Sequence, residues 1–136
     1  MDRYLYKAKR ISDGEWVVGY IIRYGHTGKE KYYIVPIYAS DLYCFLIDKT
    51  TICQCTGLKD KNGKLIWEND IVKDENGDFH KAIWQNNYYQ FCWVCIKSNV
   101  KISVGCKCDL WSLVKSFEIE VIGNIFDNAE LLESEG

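Results

Sequence analysis

The eighteen residues from Cys55 to Val72, CTGLKDKNGKLIWENDIV, constrain the fold more tightly than any other stretch of the chain. Asn62-Gly63 readily takes positive φ and is the strongest short signal for a hairpin turn. Leu65-Ile66-Trp67 then has room only for a short strand, and Glu68-Asn69-Asp70 is a tight connection into Ile71–Lys73. Asp60 and Asp70 stand where Asx side chains cap turns by accepting nearby backbone N–H groups. Asp60, Glu68 and Asp70 could as carboxylates do acid–base work or hold a divalent cation. The turn reading is preferred, and with it Thr56, Gly57, Asn62 and Gly63 read as turn chemistry.

The rest of the chain repeats this grammar. Tyr4–Ile11 and Trp16–Tyr24 flank Ser12-Asp13-Gly14-Glu15, a hairpin signal. Strands are expected at Lys31–Ile37, Leu42–Ile47 and Thr51–Cys55. A second Asn-Gly, Asn76-Gly77, turns the chain into Phe79–Trp84, and Tyr88–Ile96, Ile102–Cys106 and Glu118–Phe126 follow. Leu110–Lys115 fits a strand or a helical turn equally well. Asp127–Leu132 has a capping residue and Glu in its first turn, which predicts a short C-terminal helix. Pro36, the only proline, suits a strand terminus or an edge. Many short strands with turn signals every eight to twelve residues predict a mainly β domain, a small barrel or a sandwich. With 136 residues, one domain over 1–136 is expected, residues 127–136 forming an acidic tail.

Charge narrows the partners. The 17 basic and 19 acidic residues nearly balance, which argues against a general polyanion binder. The distribution is uneven, with seven bases against four acids in residues 1–35 and six acids with no base in residues 117–136. Only three arginines occur, so bidentate phosphate recognition would fall to Arg3, Arg10 or Arg23. The longest apolar run, Leu42–Ile47, is far short of a membrane span. The N-terminus lacks a cationic-then-apolar leader pattern, so a cytoplasmic location is expected.

Seven cysteines occur, at 44, 53, 55, 92, 95, 106 and 108. In a reducing compartment they are not expected to form disulfides. Cys53-x-Cys55, Cys92-x-x-Cys95 and Cys106-x-Cys108 could supply thiolates to zinc. Residues three apart on a strand point to opposite faces, however, so Cys92 and Cys95 cannot share an ion there. Buried free thiols are the preferred reading, and no cofactor or metal is expected.

Gln54–Gly63 followed by Ile66–Val72 resembles the signature of the YopX family of phage and prophage proteins. Val121–Leu132 resembles that family's C-terminal signature. Weaker similarity runs through Tyr6–Lys9, Trp16–Tyr20, Tyr33–Pro36 and Ala82–Trp84. Asn69 stands where the family usually has Gly, Ala129 where it has Pro, and Cys55 where it has an aromatic residue. The resemblance implies a mainly β fold with an SH3-like barrel, here with additional hairpins. It also implies a phage or prophage origin and a location in the host cytoplasm. It implies no particular activity.

The chain has no nucleophile elbow, phosphate loop or dinucleotide fingerprint, and His26 and His80 are its only imidazoles. A non-catalytic binding module is therefore expected rather than an enzyme. Small β domains commonly bind through loops and exposed aromatics, and Tyr32, Tyr33, Trp84, Tyr88 and Tyr89 are the candidates. Arg23 or Lys59 would meet a phosphate. The ligand-binding set expected is thus Arg23, Tyr33, Lys59, Trp84, Tyr88 and Tyr89. Strands such as Trp16–Tyr24 and Tyr88–Ile96 are apolar on both faces, so a homo-oligomer is expected. The leading expectation is a phage accessory protein that binds a host component, and more sharply an oligomer that sequesters a nucleotide used as an immune signal. A prophage regulator binding nucleic acid or protein is the alternative, with nucleic acid disfavoured by the charge balance.

Overall fold

The computed structural model describes residues 4–38, 43–86, 90–98, 105, 107–109 and 118–132, with backbone alone at 107–109. Its residues gather into two compact units, Met1–Cys55 and Thr56–Gly136. Eleven strands are present among the described residues, and they form open sheets with no closed barrel. The mainly β expectation holds, whereas the SH3-like barrel is not what these strands build.

In the first unit, β1 (Tyr6–Lys9), β2 (Trp16–Tyr24), β3 (Lys31–Pro36) and β4 (Phe45–Leu46) lie side by side in the order β4-β3-β2-β1. The start of β5 (Cys53–Lys59) pairs antiparallel with β1, Lys7 opposite Cys53. The β1–β2 turn closes as its sequence foretells. Gly14 takes φ 73°, and the Arg10 N–H donates to the Glu15 carbonyl at 2.9 Å. In the β2–β3 pairing Tyr20 lies opposite Val35, Ile22 opposite Tyr33, and Tyr24 opposite Lys31. Gly19 faces Pro36, and a Cβ there would collide with the backbone carbonyl of Val35. Only Gly lets the two strands approach so closely.

One face of this sheet carries the core of the unit, Ala8, Val17, Ile34 and Ile47, with Ile21, Tyr32, Phe45 and Ile52 packed around them. The opposite face, as the two-sided apolarity of β2 suggests, leaves Tyr20, Ile22 and Tyr24 exposed. Pro36 ends β3, where it does not interrupt a ladder.

In the second unit, the end of β5 lies beside β6 (Leu65–Trp67). A five-stranded sheet follows, in the order β10-β9-β8-β7-β11. Its strands are β7 (Asp70–Lys73), β8 (Phe79–Gln85), β9 (Gln90–Lys97), β10 (Lys107–Asp109) and β11 (Glu120–Asn124). Ile66, Val72, Ala82, Trp93 and Ile119 form its core, with Leu58, Phe91 and Val121 against them. Unlike β2, β9 is substantially covered on both faces. Trp93 and Cys95 are buried on one, and Cys92 is buried on the other.

At the expected short C-terminal helix the chain forms a four-residue 3-10 helix, Ala129–Leu132. The Asn128 N–H donates to the Asn124 carbonyl, while the Asn128 Oδ1 accepts from the Asn124 N–H at 3.2 Å. The expected strand at Ile102–Cys106 and the stretch Leu110–Lys115 fall wholly or largely outside the described residues. Among the described residues no helix is long and apolar enough to cross a membrane.

Candidate functional site

The Cys55–Val72 stretch resolves into turn chemistry, and its Asp-x-Asn-Gly device recurs once further on. Asp60-Lys-Asn-Gly-Lys64 and Asp74-Glu-Asn-Gly-Asp78 are built alike. In each, one oxygen of the Asp accepts from the N–H groups two and four residues on, at 2.9 to 3.0 Å. Gly63 and Gly77, at φ 81° and 86°, donate back to the Asp carbonyl. The second carboxylate oxygen reaches elsewhere. That of Asp60 accepts from the Val121 N–H at 2.9 Å, and that of Asp74 meets His80 Nε2 at 2.8 Å. The repeated Asp-x-Asn-Gly spelling announces both loops, but the Asp74–His80 contact has no signal of its own in the sequence.

Asp60 is buried, which raises its pKa, but backbone N–H groups of Val121, Lys64 and Asn62 and the nearby Lys64 charge outweigh burial. Its carboxyl is held below the usual range. Asp70, also buried, accepts from the Trp67 N–H at 2.8 Å, and Asn69 between them takes φ 71°. Thr56 ties β5 to β6 through its hydroxyl, donated to the Ile66 carbonyl at 2.6 Å. These carboxylates are committed to backbone donors.

Among the described residues, Asp74, Asp78 and His80 come close enough together to share an ion. Both oxygens of Asp74 are already engaged by the loop and the imidazole, so the cluster acts as a clasp on the β7–β8 hairpin. Cys53, Cys55, Cys92 and Cys95 are buried. Cys106 and the side chain of Cys108 lie outside the described residues.

Of the six expected ligand residues, four are described. Arg23 and Tyr33 sit in one unit but project from opposite faces of the sheet, because Arg23 pairs with Tyr32 and Tyr33 with Ile22. Lys59 is exposed at the end of β5 in the other unit. Trp84, on β8, is partly exposed and edge-on to Phe91 at 5.1 Å. Tyr88 and Tyr89 lie outside the described residues.

The first unit holds a cleft of about 620 Å³ between the end of β1, the start of β3 and the segment after β4. Backbone bonds set its walls: Ile11 N–H to the Leu46 carbonyl, Ile47 N–H to Tyr32 and Asp48 N–H to Lys9, all 2.9 to 3.1 Å. Four bases, Lys9, Arg10, Lys31 and Lys49, and two acids, Glu30 and Asp48, line it beside Tyr32, Leu46 and Ile47. Both acids are occupied. Asp48 accepts from the Thr50 hydroxyl and N–H, which hold its carboxyl below the ordinary value against slight burial. Glu30 accepts from the Gly28 N–H at 3.2 Å. The Lys49 ammonium lies 6.0 Å from the Tyr32 ring centroid.

Arg10 is the best-fixed cation of the cleft. Its Nε donates to Asp13 Oδ1 at 3.0 Å, its Nη2 pairs with Oδ2, and its Cζ lies 4.6 Å from the Phe45 ring centroid. The hydrogen bond to Asp13 raises the guanidinium pKa further, against the opposing effect of desolvation. Asp13 is in turn held low, first by the Glu15 N–H and then by Arg10. A mainly apolar floor with basic and aromatic walls can take a small anionic molecule that carries a ring. Arg10 was one of three arginines available for phosphate. Tyr32 stood among the aromatic candidates, and only strand parity separates it from Tyr33.

A family model described as YopX protein matches residues 6–133, nearly the whole chain and across both units. No curated protein matches the chain.

Proposed function

This chain belongs to the YopX protein family, and on that premise we propose that it is a non-catalytic binding protein of phage or prophage origin acting in the host cytoplasm. Its ligand is a small anionic molecule with an aromatic ring, of nucleotide class, held in the Lys9–Lys49 cleft. The observation that supports this is the clustering there of the cations Arg10, Lys31 and Lys49 around the Tyr32 ring, four bases against two acids in the lining. In its sharper form the protein sequesters a nucleotide immune signal of the host and so counters defence.

Self-association completes the reading. Tyr20, Ile22, Tyr24 and Leu46 are 53, 46, 73 and 38% exposed on one face of the β2–β3–β4 sheet, with Tyr33 and Val35 between them. At ~200 Å² per aromatic side chain, the face offers roughly 400 Å² of apolar surface. A standard interface buries ~800 Å² per partner, a little over half of it non-polar. The face therefore supplies the apolar share of one such interface, and a second copy of the chain is its occupant.

The test is to incubate the protein with cyclic and ADP-ribose-like nucleotides, denature it, and identify what is released. Intact ligand, together with a rise in melting temperature that Lys49→Ala reduces, is expected. Release of an altered ligand identifies an enzyme instead, and no thermal shift with any nucleotide refutes the sequestration reading. For the oligomer, a light-scattering mass equal to the monomer at micromolar protein overturns self-association.

A further inference from the structure

A second cleft of about 570 Å³ lies in the same unit, lined by Glu15, Trp16, Ile37 and Tyr38 among others, and Arg10 lines both. We infer that the ligand has two ring systems joined by a central anionic group, a dinucleotide-class molecule, with one ring in each cleft and its phosphate on Arg10. This rests on the proposal that the first cleft binds a nucleotide, and it names that ligand's shape.

Three observations converge on Arg10. It is held in place, since Nε and Nη2 are forked onto Asp13 and the guanidinium carbon lies over the Phe45 ring. Its third nitrogen, Nη1, has no hydrogen-bond partner among the described residues, which leaves two donors for an anion. It also lines both clefts. A guanidinium already held this way loses little freedom when it takes up a phosphodiester.

Each cleft also has its own aromatic wall. Tyr32, with the Lys49 ammonium nearby, belongs to the first. In the second, Trp16 is approached by the ammonium groups of Lys7 and Lys9 at 4.5 and 5.3 Å, and Tyr38 is largely exposed. The clefts are of similar size, and each falls within the range of ~300–1,000 Å³ typical of small-molecule sites. A mononucleotide would leave one of them empty. Two rings flanking one phosphodiester use both clefts and the cation that lines them both.

Isothermal titration of the full chain with two probes tests this. One is ApA, with two rings and a single phosphodiester. The other is the methyl ester of adenosine 3′-phosphate, which has the same charge and one ring. ApA should bind one per chain and roughly tenfold tighter than the ester, about the contribution of one stacked base. Tyr38→Ala removes an exposed side chain from the second cleft alone, so it should abolish that advantage and leave ester binding unchanged. Lys49→Ala should weaken both probes. Equal affinities, or a Tyr38→Ala variant that binds ApA as tightly as wild type, refute the two-ring ligand while the single-cleft reading stands. If neither probe binds, both readings fail.

Discussion

Asp60 connects the most legible part of the chain to a contact 61 residues away, and replacing it with Asn tests the account of the cassette. The carboxylate accepts three backbone N–H groups, from Asn62 and Lys64 on one oxygen and from Val121 on the other, each at 2.9 Å. In Asp60→Asn the amide oxygen can keep the two loop bonds, now without charge. The amide nitrogen then faces the Val121 N–H, donor against donor. A hydrogen bond to a charged group contributes about 1.5–3 kcal/mol, so losing the Val121 bond and weakening the other two should cost about 2–3 kcal/mol. For a chain of this size that is a fall in Tm of roughly 6–10 °C.

Urea unfolding gives the total, and amide hydrogen exchange gives the location, with Val121 and its neighbours on β11 losing protection most. The pH dependence has a definite sign. Because the folded-state pKa of Asp60 is depressed, its stabilisation is complete above the unfolded-state value of about 3.9 and is lost as pH falls through the lower folded value. The wild-type advantage over Asp60→Asn should therefore be steady near neutrality and shrink in acid. An Asp60→Asn protein within about 0.5 kcal/mol of wild type, with Val121 protection unchanged, would refute the reasoning.

Other substitutions probe separate links. Asn69→Ala should cost about 1–2 kcal/mol for the side chain's poor fit to left-handed backbone, whereas Asn69→Gly should relieve that backbone strain; chemical denaturation of the pair separates them. Gly19→Ala should separate β2 from β3 and lower the stability of the first unit, read as lost amide protection across Gly19–Tyr24. Trp93→Ala, at a fully buried position, should cost about 3–5 kcal/mol in denaturant unfolding, with the loss confined to the second unit.

The turns could be read from the sequence because their physics is local. Asp60 with Asn62-Gly63, Asp74 with Asn76-Gly77, and Asn69 all settle backbone angles within four or five residues. The strands they separate follow from alternation, and β2 and β6 fall at the expected residues. Closure into a barrel did not follow, because it depends on how strand edges meet, which neither the spacing of the turn signals nor the YopX resemblance determines. The type of the terminal helix was not legible for a related reason. Asn124 and Asn128 bond each other across one turn, a pairing that a capping-residue count does not weigh.

The cleft lay furthest from view. Lys9 to Ile11, Glu30 to Tyr32 and Leu46 to Lys49 are separated by many residues and meet only through the register of β1, β3 and the segment after β4. A one-residue step along a strand moves a side chain to the other face. The choice of Tyr32 over Tyr33 for the cleft was therefore made by pairing against β2. The sequence alone established that an arginine contacting phosphate must be Arg3, Arg10 or Arg23, because composition and charge do not depend on the fold. Of the two arginines among the described residues, the fold sets Arg10 over the Phe45 ring and forks it onto Asp13 in the lining of two clefts, and leaves Arg23 on a sheet face without either contact.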